Sequence, residues 1–75
     1  MVKALVLVGI GAKHGNDVFN EVKRKREVKM SMMIYGEYDA AFIIDVPGVA
    51  EIQDFVRAVR KTEGITTTVT MIEME

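Results

Sequence analysis

Two stretches constrain this chain more than anything else in it. "VKALVLVGI", residues 2–10, and "AAFIIDV", residues 40–46, are apolar almost without interruption. A strand with one wet face alternates apolar and polar side chains, whereas a strand buried on both faces does not need to. Each run is far short of the roughly 20 apolar residues of a membrane span, and the first lacks the small-residue cleavage pattern of a signal peptide. Pro47-Gly48 stops the second. A fold for this chain must place both runs in the middle of a sheet and find wetter strands to flank them.

Two such strands are present. Residues 27–35, "EVKMSMMIY", alternate, with Val28, Met30, Met32 and Ile34 on one side and Lys29, Ser31, Met33 and Tyr35 on the other. The end of the chain, "ITTTVTMIEME", is rich in β-branched residues and also alternates. Between the strands lie two helical patterns. The first runs from about Asp17 to Arg26, with Asn16 as its cap and Val18, Val22 and Phe19 or Lys25 as its stripe. The second runs from Val49 to Thr62, with Ile52, Phe55, Val56 and Val59 inward and Gly64 as its stop.

The element order is β-α-β-β-α-β, which predicts an α+β, ferredoxin-like sandwich made of one domain over residues 1–75. Right-handed crossovers that each skip a strand give the sheet order 4-1-3-2, with the two most apolar runs inside. Two helices cover only one face of such a sheet. Leu5, Leu7, Met33, Ile43 and either Val69 or Met71 are expected on the other, and an apolar face of that kind predicts a homodimer packed sheet to sheet.

Composition removes several function classes. The chain has no cysteine and one histidine, His14, so it has neither a disulfide framework nor a thiolate or histidine-cluster metal site. No cofactor is expected. Ten basic and eleven acidic residues give a net charge of -1, which provides no global field for nucleic acid. The run Lys23, Arg24, Lys25, Arg26 falls where a helix should end and complements the negative end of its dipole. A cytoplasmic location fits this composition. "GIGAKHG", Gly9 to Gly15, follows a strand and precedes a helix, but its spacing fits neither a dinucleotide fingerprint nor a Walker loop, so His14 is expected as a solvated loop residue.

The turn "GEYD", Gly36 to Asp39 between the second and third strands, carries more chemistry than a hairpin needs. It resembles the G-x-Y-D turn of the Lrp/AsnC-type effector domain, the RAM domain for regulation of amino-acid metabolism. Gly64-Ile65-Thr66-Thr67-Thr68-Val69-Thr70 is similar to that family's G-[VI]-x-x-T-x-T pattern. The resemblance extends by element order over essentially the whole chain. One departure is "KRKREVK", where relatives often have a short proline-containing turn after the first helix.

The resemblance implies a stand-alone effector domain without the helix-turn-helix reader of full-length members, hence no direct specific binding of nucleic acid. It also implies a pocket at a junction of dimers, where Gly36, Glu37, Tyr38 and Asp39 of one subunit and the threonines Thr68 and Thr70 hold an amino acid and favour one assembly over another. The implied partners are that ligand, further copies of the chain and a full-length DNA-binding relative.

Elementary chemistry is compatible with this. Backbone N–H groups around Gly36 and Tyr38 suit a carboxylate, Asp39 suits an ammonium, and two hydroxyls two residues apart share one side of a strand. Tyr35 and Tyr38 are expected at an interface. The bland alternative is that Asp39 bonds only local backbone and that threonines simply favour strands. The other alternative is a small dimeric α+β barrel enzyme, of isomerase or monooxygenase type. Its candidate acids and bases are Asp45, Glu73 and Tyr35, none with an evident partner in sequence.

Overall fold

The computed structural model describes residues 1–74. In chain order its elements are β1 (Val2–Ile10), α1 (Gly15–Lys23), β2 (Val28–Met33), β3 (Ala40–Val46), α2 (Val49–Arg60) and β4 (Ile65–Ile72). The sheet is antiparallel with the order β2-β3-β1-β4, which is the expected 4-1-3-2 read from the other edge. The two apolar runs are its two central strands.

Register sorts the side chains into rows across the sheet. Met33–Ala40–Val8–Thr68, Ser31–Phe42–Val6–Thr70 and Val28–Ile44–Ala4–Ile72 lie on the helix side. Val6, Val8, Ala40, Phe42 and Ile44 there are sealed from solvent, and Val18 and Val22 of α1 with Ile52, Phe55, Val56 and Val59 of α2 close over them. Phe19 stacks on Phe42 with ring centroids 5.6 Å apart, so the α1 stripe takes Phe19 where Lys25 was the alternative. Lys23 of the basic run places its Nζ 5.5 Å from the Phe19 ring centre, a cation–π cover over the core's rim.

The remaining rows, Met32–Ala41–Leu7–Val69 and Met30–Ile43–Leu5–Met71, face away from both helices. This corrects the expected membership of that face. Val28 pairs with Ile44 and Met30 with Ile43, so Lys29 is an extra residue in β2. A bulge of one residue reverses the side to which every later side chain of the strand points. Met30 and Met32 therefore join the bare face and Met33 leaves it, while Val69 and Met71 are both present.

Helix ends differ from the sequence pattern. α1 starts at Gly15, with His14 at the cap position and no side-chain cap bond. The His14 N–H donates to the Gly11 carbonyl at 3.0 Å and that of Val18 to His14 at 2.9 Å, so the loop's own backbone bonds start the helix and Asn16 lies inside it. α1 stops at Lys23, short of Arg26, because successive turns from Lys25 N–H to the Val22 carbonyl and from Val28 N–H to the Lys25 carbonyl swing the chain back into the sheet. α2 likewise stops at Arg60, short of Thr62, whose hydroxyl donates back to the Ala58 carbonyl.

Gly64 stands at φ +101°, and a Cβ there would lie 2.7 Å from His14 Cβ and 2.8 Å from Val18 Cγ2. Both its backbone conformation and its space require glycine. His14 is consequently half-buried against this turn instead of solvated.

Candidate functional site

The ends of β1 and β2 and the starts of β3 and β4 meet at one end of the sheet. The Gly36–Asp39 turn belongs to this end. Gly36 has φ +139° with open space around it, so its conformation, not crowding, calls for glycine. The turn closes through the Ile34 N–H donating to the Asp39 carbonyl at 3.0 Å, and the Asp39 N–H donates to the Val8 carbonyl at 2.8 Å.

Asp39 does more than bend its own backbone. Its Oδ2 accepts a hydrogen bond from the Ile10 N–H at 2.8 Å. That donor sits where β1 loses register with β4: Gly9 pairs with Thr67 but Ile10 with Ile65, leaving Thr66 as a second bulge. The carboxylate thus ties the turn to the last residue of the central strand.

Beside it opens a cavity of about 340 Å³, lined by Ile10, Gly11, Ala12 and Gly15 from the β1–α1 junction and by Met33, Ile34, Tyr35 and Asp39 from the turn. Met33 lines it because the bulge at Lys29 has turned that side chain to this side. Within one chain, Gly36 and Glu37 are exposed at the tip and Tyr38 is half-buried; none of the three lines the cavity. Tyr35 is fully exposed at its rim.

Thr68 and Thr70 lie elsewhere. They occupy the helix-side rows of β4, two strands away from β3 and the turn. The Thr68 hydroxyl accepts from Arg60 Nε at 3.0 Å, and Thr70 lines a groove beneath Arg57 and Arg60 of α2. One chain does not bring these threonines to Asp39.

The threonines nearer the turn's end of the sheet are Thr66 and Thr67. A Cβ on Gly9 would come within 2.8 Å and 2.6 Å of their hydroxyl oxygens, so glycine there makes room for the bulge. The sequence signal for this was Gly9 itself, the one residue without a side chain inside the first apolar run.

The three alternative catalytic groups do not meet at one place. Asp45, at the far end of β3 with its Oδ1 shielded and unpartnered, and Glu73, just past β4, flank Lys3 on neighbouring strands, whereas Tyr35 belongs to the turn at the opposite end of the sheet. Among the described residues no cluster of three or more metal-ligating side chains occurs, and no helix is long and apolar enough to cross a membrane.

A turn of this chemistry, held in this place on a βαββαβ sandwich, agrees with what sequence comparison finds. The family model of the Lrp/AsnC ligand binding domain matches residues 3–75. The chain belongs to that family. Among solved structures, FFRP-DM1 is 29% identical with a TM-score of 0.93, covering 99% of this chain and 100% of that one.

The hypothetical protein PHS023 from Pyrococcus horikoshii is also 29% identical, with a TM-score of 0.90 over 100% of this chain and 92% of that one. The feast or famine regulatory protein from M. tuberculosis, solved in complex with L-methionine, shares the fold at 17% identity and TM-score 0.85; this Lrp/AsnC-type chain is covered in full and spans 51% of it. No curated protein matches the sequence.

Proposed function

We propose that this Lrp/AsnC-family chain is an amino-acid effector module, not an enzyme. It binds an amino acid at the Gly36–Asp39 turn and pairs with a second copy through the bare face of its sheet. Through assemblies of such dimers and co-assembly with DNA-binding relatives it adjusts transcription, in the cytoplasm.

The observation that carries the reading is Asp39. One carboxylate oxygen is committed to the Ile10 N–H, which fixes the group at the mouth of the 340 Å³ cavity and leaves the other oxygen for a charge-assisted bond to an ammonium. Backbone N–H groups of Gly36, Glu37 and Tyr38 suit the ligand's carboxylate. Ile10, Ala12, Met33 and Ile34 make the cavity wall largely apolar, so amino acids with apolar side chains are favoured. Methionine, the ligand of the M. tuberculosis relative, is one of these. Thr68 and Thr70 enter the site only if another copy carries them there.

Melting temperature against the twenty amino acids tests the reading. A ligand that binds only the folded form adds roughly 2.7 kcal/mol at 100 times its dissociation constant. Methionine, leucine or a similar side chain should give the largest shift, with no ligand consumed. A flat panel across all twenty would remove the turn as a binding site.

A further inference from the structure

At the end of the sheet away from the Gly36–Asp39 turn, the bare face changes character. The row beyond Met30–Ile43–Leu5–Met71 is Asp45–Lys3–Glu73: Lys3 pairs with Asp45 of β3, and the Glu73 N–H donates to the Lys3 carbonyl at 2.9 Å. Acid, base and acid thus stand side by side on an otherwise apolar surface. Lys3 forms no ion pair with either neighbour among the described residues. Asp45 Oδ1 is shielded from solvent and accepts no hydrogen bond, which costs stability unless a donor arrives from elsewhere.

Pairing of the bare faces is a source of such a donor. Two sheets packed face to face about a two-fold axis can be related in two simple ways. An axis along the strands, between β3 and β1, exchanges those two strands and also exchanges β2 with β4. Each copy's Asp45 is then carried over the other's Lys3, and Ile43 over Leu5. An axis across the strands keeps β3 over β3 and reverses their direction. It lays the charged row over Ala41, Leu7 and Val69 at the opposite end of the face, and unpaired charge in an apolar contact is costly.

A hollow of about 320 Å³ favours the same axis. It adjoins Lys3, and Leu5, Ile43, Met71 and Glu73 help to line it. Met30, exposed at the other edge of the same face, shares the row of Ile43, Leu5 and Met71. The axis along the strands carries Met30 of each copy over Met71 of the other, beside the hollow. The axis across them leaves it over the other copy's β2.

We propose that Asp45 and Lys3 are the residues by which this chain selects a second copy of itself and sets the axis of pairing, through two reciprocal ion pairs, Asp45 of each copy with Lys3 of the other. The inference rests on pairing through the bare face and adds what fixes its orientation. Face-to-face sheets lie about 10 Å apart, a gap that the four-carbon stem of lysine and an opposing aspartate bridge together. Twist turns such sheets by about 30°, and its displacement is least on the two strands nearest the axis, which carry both residues. Glu73, one strand farther out, stays at the rim. Charge pairs of this kind give specificity more than affinity, and a relative with other charges at these two positions would be refused.

The test is charge reversal followed by mixing. Asp45→Lys makes both positions positive and Lys3→Asp makes both negative, so each variant alone should associate at least tenfold more weakly than the parent in sedimentation equilibrium. An equimolar mixture of the two should regain the parent's dissociation constant as a heterodimer, identified by native mass spectrometry. Glu21→Lys and Lys61→Asp, at exposed positions on the helix side, alter net charge equally and should mix statistically. Where circular dichroism shows that a reversal unfolds the chain, Asp45→Asn and Lys3→Gln replace it, and their losses in a double-mutant cycle should not add.

Undiminished self-association of both reversals, a statistical mixture of the two, or additive losses would overturn the proposal and leave pairing itself standing. A parent chain that stays monomeric at every concentration would remove the pairing as well, so the two failures are distinguishable.

Discussion

On the helix side of the sheet Val6, Val8, Phe42 and Ile44 are fully buried, while on the opposite side Leu5, Leu7, Ile43 and Val69 are half-buried and Met30, Met32 and Met71 stand about half exposed. The chemistry of the two faces is nearly the same. What differs is the presence of α1 and α2. The comparison teaches that hydrophobicity in the central strands is a demand for two covers, of which this chain supplies one. Methionine along the uncovered side adds adaptability, since an unbranched thioether fits varied surfaces.

The comparison is broken most severely by Phe42→Ala. Loss of a sealed ring that also stacks on Phe19 should cost about 3–5 kcal/mol, a large part of what so small a domain has, and urea denaturation followed by circular dichroism will measure it. The neighbouring change Ile43→Asp should instead leave secondary structure intact at low concentration and abolish association in sedimentation. If Ile43→Asp unfolds the chain as completely as Phe42→Ala, the second face is no spare surface.

A smaller effect is expected at the turn. Asp39→Ala removes both the Ile10 tether and the ammonium's partner, and should weaken amino-acid binding by about 1.5–3 kcal/mol, the range for bonds to charged groups, as read by calorimetry. Faster exchange of the Ile10 amide should accompany it. Thr68→Val should do least: its bond to Arg60 is exposed, so stability should fall by no more than about 1 kcal/mol and ligand affinity should hold. A clear loss of affinity in Thr68→Val would instead sharpen the picture of the helix side, by revealing that copies also associate there and bring one copy's threonine to another's turn.

The central strands and the sheet order were legible because a doubly apolar run has few places to go. The turn was legible because Gly36 and Asp39 are turn residues for physical reasons that operate within a few positions. Its anchoring was not, since the Ile10 N–H that Asp39 accepts from lies 29 residues away.

Helix ends were misjudged for a related reason. Lys and Arg are good helix formers, so nothing local in Arg24 to Arg26 announces the stop that tertiary return to β2 imposes. The bulge at Lys29 was invisible because any exposed residue can serve as the extra one. Thr68 and Thr70 are expected to meet the turn at a junction of dimers, and nothing local in the sequence tells which copy supplies them; within one chain β1 holds the strands that carry them and the turn apart.

That extra residue in β2 has a bearing on how members of this family should be aligned. A relative whose second strand lacks the bulge will match this one only if a single-residue gap is opened near Lys29. Without the gap, the methionines of the bare face would be equated with residues that point at the helices, and the lining residue Met33 with one that points away. A mismatch of one position, harmless in a loop, would there exchange the uncovered face of the sheet for a pocket wall.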